Sequence, residues 1–329
     1  MVKILIIGYG SIGKRHTNNL LKNTNHEIII FTKRTDLHFK TKRVRVHNSF
    51  DNCLSEKPQI AFITNETSLH IKYAIRLANS GIDLFLEKPL SNSLNGVQTL
   101  RNIVNKKKII TQMGFNLRFH KCIIKIKKLV QEQKIGKIIS IQAENGSYLP
   151  DWHPYENYRS GYAGKKKLGG GIILTQIHDV DYLYWIFGNP ISIFSVNGKF
   201  SDLDISAEDY ASSIIQFKHR IIAELHLDFF QGPEYRRCKI KGTIGTIYWN
   251  SIKNEVKLYN NRTKKWKIIL KLKNFERNQM YIDEINYFLK CVKTRKKTTN
   301  SIDDGIKTLK IALAMKKSGK NKKIIKLEK

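Results

Sequence analysis

The chain opens on a short apolar run, Val2 to Ile7, broken only by Lys3, and the same texture returns at Glu27 to Phe31, Ile60 to Ile63, Ile82 to Leu86 and Ile109 to Gly114. Short, nearly continuous apolar runs read as strands buried on both faces, the state of a parallel sheet covered by helices. Between them lie stretches of helical period: from Gly13 through Leu21, from about Thr67 to Ser80 with Gly81 as its stop, and from Pro89 to about Lys106. Strand alternating with helix predicts a doubly wound parallel sheet in the first part of the chain, residues 1–118.

From His120 to Gln133 a Lys-rich amphipathic helix begins a second domain, 119–329, and Ile138 to Glu144 reads as a strand. Gly169-Gly170-Gly171 then opens a predicted helix to about Phe187. At helical spacing Thr175, His178, Tyr182 and Trp185 share one face, and Asp181 lies a turn beyond His178, where it could orient the imidazole. Beyond Pro190 the period changes to two. Ile191 to Phe200, Tyr210 to Lys218, Arg220 to Phe229, Arg236 to Lys241, Thr246 to Asn250, Glu255 to Tyr259 and Lys265 to Leu272 predict an antiparallel meander, turning at Lys218-His219, Gly242 to Gly245 and Asn260-Asn261. Helices from Met280 to Lys293 and Asp303 to Ser318 close the fold, and the basic tail from Asn321 is expected to fray.

The candidate chemistry starts at the first strand's end, where Gly8-Tyr9-Gly10-Ser11-Ile12-Gly13 sets G-x-G-x-x-G between strand and helix. Gly8 permits the tight turn, Gly10 lets a pyrophosphate approach the backbone, and Gly13 lets helix and strand pack, while the helix N-terminus offers amide donors. After the second strand come Thr32, Lys33 and Arg34 in place of the acid that would bind a ribose 2′-hydroxyl. The cofactor expected is therefore NAD or NADP, with a lean to NADP on Arg34. The strand ending at Leu86 delivers Glu87-Lys88-Pro89 to the carboxyl edge of the sheet, where ligands of such folds bind. Farther on, the stretch Tyr148-Leu149-Pro150-Asp151-Trp152-His153-Pro154-Tyr155-Glu156-Asn157-Tyr158-Arg159 has the aromatic, proline-broken composition of a binding wall.

Composition narrows the partners. The four cysteines, Cys53, Cys122, Cys238 and Cys291, stand singly, which argues against disulfides or structural zinc, and no metal is expected. No apolar window is long enough to span a bilayer, and no signal pattern follows Met1, so the expectation is a cytoplasmic protein with no membrane partner. A net charge of +32 raises nucleic acid as a partner, but the Lys is dispersed and accompanied by abundant Ile and Asn, a codon-bias texture. No nucleic-acid partner is expected.

Taken together these residues resemble the glucose-fructose oxidoreductase and inositol dehydrogenase family, often called Gfo/Idh/MocA. The matching stretches are 8 to 16 (Gly-Tyr-Gly-Ser-Ile-Gly-Lys-Arg-His), Thr64-Asn65 with His70, Glu87-Lys88-Pro89, 114 to 119 (Gly-Phe-Asn-Leu-Arg-Phe), 134 to 137 (Lys-Ile-Gly-Lys), Gly169-Gly170-Gly171 with His178, and 301 to 305 (Ser-Ile-Asp-Asp-Gly). The resemblance implies an N-terminal Rossmann domain, a C-terminal α/β domain with a large, mostly antiparallel sheet, a homo-oligomer, and NAD(P)-dependent hydride transfer to or from a secondary alcohol of a sugar or sugar derivative. By it Lys88 and His178 are the catalytic pair. Gly8, Gly10, Ser11, Ile12, Gly13, Arg34, Thr64, Asn65, His70, Glu87 and Lys88 hold the cofactor. Asn116, Tyr148, Trp152, Arg159, Thr175 and Tyr182 meet the substrate. Thr175 stands where the family usually has Asp. The Trp-His-Pro loop resembles members associated with bacterial surface-glycan sugar pathways. The alternatives are a non-catalytic dinucleotide sensor or scaffold and, below it, a polyanion-binding protein.

Overall fold

The computed structural model describes residues 1–152 and 157–327, so His153 to Glu156 of the expected binding wall lie outside the described residues. Strands β1 (Lys3–Ile7), β2 (Glu27–Phe31), β3 (Val44–His47), β4 (Ile60–Ile63), β5 (Asp83–Leu86) and β6 (Thr111–Met113) form one parallel sheet in the order β3-β2-β1-β4-β5-β6. Isoleucine faces isoleucine across its centre, with Ile4 beside both Ile28 and Ile60. These side chains are fully buried, as a sheet covered on both faces requires. Helices α1 (Ser11–Asn23), α2 (Phe50–Ser55), α3 (His70–Asn79) and α4 (Val97–Lys107) connect the strands. Strand order reverses between β1 and β4, and the carboxyl ends of those two strands are where a doubly wound sheet opens a ligand crevice.

Two elements of this sheet escape the sequence pattern. β3 (Val-Arg-Val-His) is half-buried throughout, and α2 is a six-residue helix started by Ser49, whose side chain accepts the Asn52 amide. The helix expected from Pro89 begins only at Val97, because the Ser/Asn-rich segment before it turns through Gly96 at φ 72°.

The second sheet runs β14-β13-β12-β11-β7-β10-β9-β8-β15, comprising β7 (Ile138–Gly146), β8 (Pro190–Gly198), β9 (Tyr210–Phe217), β10 (Ile222–Asp228), β11 (Tyr235–Gly242), β12 (Gly245–Asn250), β13 (Glu255–Asn260), β14 (Lys265–Lys271) and β15 (Ile325–Lys326). The expected meander is interrupted, since β7 enters between β10 and β11, parallel to the first and antiparallel to the second. One face is covered: α5 (Lys121–Gln131) packs on β13 and β14, and α6 (Ile172–Thr175) on β9 and β10. α7 (Ile177–Phe187) follows α6, and α8 (Arg277–Thr294) and α9 (Ile302–Asn321) end the helical part. Within the tail expected to fray from Asn321, Ile325–Lys326 form β15, with Ile325 opposite Ile193 of β8, while Glu328 and Lys329 lie outside the described residues.

The chain divides into two compact units, Met1–Phe115 with Asn278–Ile306, and Asn116–Arg277 with Lys307–Lys329. The expected cut between 118 and 119 therefore meets a chain that returns to its first unit late. Packing explains the return. Phe288 of α8 is fully buried and sets its ring edge-on against the stacked pair Phe62 and Phe85, at 5.9 and 5.7 Å. All four cysteines are buried and unpaired. Among the described residues no helix is long and apolar enough to cross a membrane, and no cluster of metal-ligating side chains occurs.

Candidate active site

In the first unit β1 runs into Gly8, whose φ of 91° and close approach to Asn65, 2.8 Å from a hypothetical Cβ, admit only glycine. Gly13 is equally constrained: a Cβ there would lie 2.3 Å from the Gly8 carbonyl oxygen. Gly10 differs, because a Cβ would meet nothing within 4 Å. It borders open space at the start of α1, whose first turn holds no acid and no capping side chain. Ser11, Ile12 and Gly13 thus present a helix N-terminus suited to an anion. Opposite, after β4, the Thr64 hydroxyl lies 2.9 Å from both the Ile7 and Gly8 carbonyl oxygens. The buried Oδ1 of Asn65 has no hydrogen-bond partner among the described residues. A glycine cradle with an open side and an orphaned amide oxygen fits a dinucleotide.

Three expected cofactor ligands do other work. His70 is buried, with Nδ1 2.9 Å from the Pro89 carbonyl and Nε2 3.0 Å from that of Asn65, so it ties the loop after β4 to the loop after β5. Burial pushes its pKa down, against its carbonyl partners. Glu87 is also buried and meets the His16 ring at 2.7 Å. The side chains of these two brace the loops from within, since a polar side chain at a strand's carboxyl end can turn back into the fold as readily as outward. Lys88 follows, half-buried, its peptide bond to Pro89 cis. Arg34 is exposed, and Asp36 takes it bidentately at 3.0 and 2.6 Å, a hydrogen-bonded pairing that holds the Asp36 carboxyl below its usual range.

In the second unit Gly171, at φ 104°, starts α6, and the helix breaks at Gln176 before α7 begins. The single helical face expected for Thr175, His178, Tyr182 and Trp185 is therefore interrupted. Thr175 is buried at the end of α6, and His178, 8% exposed, lies in the first turn of α7. Tyr182, expected against substrate, is 1% exposed and sits edge-on to Trp249 at 6.0 Å. It is a core residue, and burial raises its hydroxyl pKa well above the ordinary value. Asp181, read as a partner for His178, gives both carboxylate oxygens to Arg118, at 2.9 and 2.7 Å, and also accepts from Thr308 at 3.2 Å.

Beside His178 lies a network that sequence reasoning missed. Asp179 accepts from Asn145 at 2.9 Å and pairs with Arg236 at 3.1 Å, while Arg236 also donates to Gln176 at the helix break, at 2.9 Å. Burial raises the Asp179 pKa and Arg236 opposes it. The one signal available beforehand was an acid directly after the histidine.

Of the remaining expected contacts, Asn116 is buried in the 3₁₀ turn Asn116–Phe119. Tyr148 and Trp152 flank the turn Leu149–Asp151, the first exposed, the second donating from Nε1 to the Ser147 hydroxyl at 2.9 Å and set edge-on to Phe229. Arg159 turns to Asp204 at 2.9 Å and covers the Tyr158 ring.

Comparison with known proteins gives consistent matches. A sequence model described as oxidoreductase family, NAD-binding Rossmann fold, matches residues 2–115, and the GFO/IDH/MocA C-terminal domain matches 123–248. A myo-inositol 2-dehydrogenase of Thermotoga maritima is 26% identical over 341 aligned residues, covering 99% of each chain. Among solved structures, a myo-inositol 2-dehydrogenase from Lactobacillus plantarum superimposes with a TM-score of 0.83 at 22% identity over 99% of each chain. A levoglucosan dehydrogenase in complex with NADH and levoglucosan does so with a TM-score of 0.87 at 16% identity over 100% of each chain. Both superpositions speak to the fold.

Proposed function

The chain belongs to the Gfo/Idh/MocA oxidoreductase family, with an NAD-binding Rossmann domain, and from that premise we propose that it is a sugar dehydrogenase acting on a secondary alcohol of a sugar or cyclitol. The observation that carries the reading is the cradle of Gly8, Gly10 and Gly13, open only at Gly10, with the Asn65 amide oxygen left for a ligand. When bound, the nicotinamide supplies the acceptor or donor of hydride. Oxidising an alcohol also requires a group to take the hydroxyl proton and another to stabilise the charge growing on oxygen. His178 serves as the general acid/base and Lys88 donates a hydrogen bond to the reacting oxygen. Tyr148 and Trp152 contribute aromatic surface for a sugar ring, with Asn116, Thr175 and Arg159 as further contacts.

The lean to NADP rests on Thr32, Lys33 and Arg34; a 2′-phosphate must draw Arg34 away from Asp36, an exposed pair that offers little resistance. The uncovered face of the second sheet exposes Phe194, Val196, Ile214, Trp266 and Ile268, which supports assembly of like chains. Four reduced thiols favour a cytoplasmic setting.

Fluorescence titration with NADH and NADPH, then turnover on inositols and sugars, tests the proposal. Binding is expected, and His178→Ala or Lys88→Met should lower turnover by about a hundredfold to ten-thousandfold. Failure to bind either dinucleotide, or near-normal turnover in both variants, would overturn it; binding without turnover on any sugar would instead favour the sensor reading, which the buried Thr175 at the usual Asp position motivates.

A further inference from the structure

Helix α1 starts at the anion-binding turn, and five residues farther along, on its buried side, it carries His16. The ring is fully enclosed, edge-on to Phe85 at 5.0 Å and near Phe62 and Tyr281 at 5.4 and 6.1 Å. Placing an imidazole among aromatic rings is unfavourable unless its polar atoms are used. Nε2 lies 2.7 Å from Glu87 Oε1, and Nδ1 has no hydrogen-bond partner among the described residues, so holding Glu87 is the ring's one polar engagement. Glu87 is confined as well. Its Oε2 accepts the Lys88 backbone N–H at 3.2 Å, and its carboxylate lies so near Gly114 that a Cβ there would be 2.9 Å from the carboxylate carbon. A carboxylate boxed by an imidazole, a glycine and the next residue's amide cannot shift without moving that amide.

We propose that His16 is a positioning residue for Lys88, acting through Glu87. The helix whose first turn receives the dinucleotide's phosphates thereby also fixes the backbone from which Lys88 extends. The role rests on the reading that Lys88 meets the reacting oxygen, yet the positioning itself can be measured without turnover.

The test is the rate at which trace acetic anhydride acylates Lys88 in the full-length protein, read by mass spectrometry, with Lys14 and Lys22 of α1 as internal standards. In His16→Leu the Lys88 rate should change by about fivefold relative to those standards, the worth of one ordinary hydrogen bond. His16→Gln, whose side-chain amide can reach the same oxygen, should restore the rate. An unchanged Lys88 rate in His16→Leu overturns the proposal. If His16→Leu instead unfolds, the three lysines change together, and Gly114→Ala, which presses on the same carboxylate with His16 intact, decides: an unaltered Lys88 rate there overturns it too. Near-normal turnover in Lys88→Met would sink the catalytic reading while leaving the labelling result in place, so the two failures are separable.

Discussion

Arg118→Met should be among the most damaging single substitutions in the second unit. The Arg118 and Asp181 side chains are 4% and 1% exposed and joined by two hydrogen bonds. Removing the cation leaves a carboxylate out of water that still accepts from Thr308 but has lost both guanidinium hydrogen bonds. Breaking a buried pair from one side costs about 3–5 kcal/mol. The guanidinium also lies 5.5 Å from the Trp185 ring, which adds a fraction of that sum. In a body of about 150–250 residues each kcal/mol moves the melting temperature by roughly 2–4 °C, so a fall of about 6–20 °C is expected. Scanning calorimetry at neutral pH reads it. Arg118→Met with Asp181→Leu removes both charges and should recover most of the loss, because an apolar pair of similar volume is nearly neutral. Since α7 carries His178, the single variant should also lose turnover. A single variant that melts within about 2 °C of the parent, or a double variant no more stable than the single, would refute the account.

Two further outcomes follow from burial and from the glycine cradle. Burial chiefly pushes the His120 pKa down to about 4, so the fold holds it neutral while the unfolded chain protonates it near pH 6.5. Stability is then full above about pH 6.5 and declines by up to about 3 kcal/mol as the pH falls toward 4. In His120→Asn, which keeps an N-cap acceptor for the Cys122 amide, denaturant midpoints measured across that window should lose this component. Gly10→Ala should melt like the parent yet lose NADH binding in a fluorescence titration, whereas Gly13→Ala, crowded by the Gly8 carbonyl, should lose stability as well. Equal melting of the two variants would count against the cradle as described.

Legibility followed local patterning. The strands from Pro190 onward could be read because alternation and tight turns are local signals, and their observed bounds fall close to expectation. The entry of β7 beside β10 could not, since its partner begins at Ile222 and pairing over such separation depends on which sheet edge lies open. β15 was hidden for the same reason: Ile325-Lys326 has no strand character apart from β8. At the site, the glycine pattern was legible because its geometry is dictated within six residues. Glu87, His70 and Tyr182 were not, because residue type does not reveal whether a polar group faces a ligand or braces the backbone. The Asp179–Arg236 contact joins α7 to β11, and nothing in either segment announces the other.

The late return of the chain to its first unit bears on biosynthesis. A ribosome delivers all six parallel strands before any of the second unit, but the ring that closes over Phe62 and Phe85 is Phe288. That nascent sheet must wait, its aromatic pair met by His16 but still lacking the Phe288 ring, while nearly the whole antiparallel sheet is made. The second unit waits in turn for Ile325 to cover the edge of β8. Neither half closes before its late residues are made, so the window open to chaperones and to misassociation runs from the synthesis of Phe85 to that of Phe288 in the first unit, and on to Ile325 in the second.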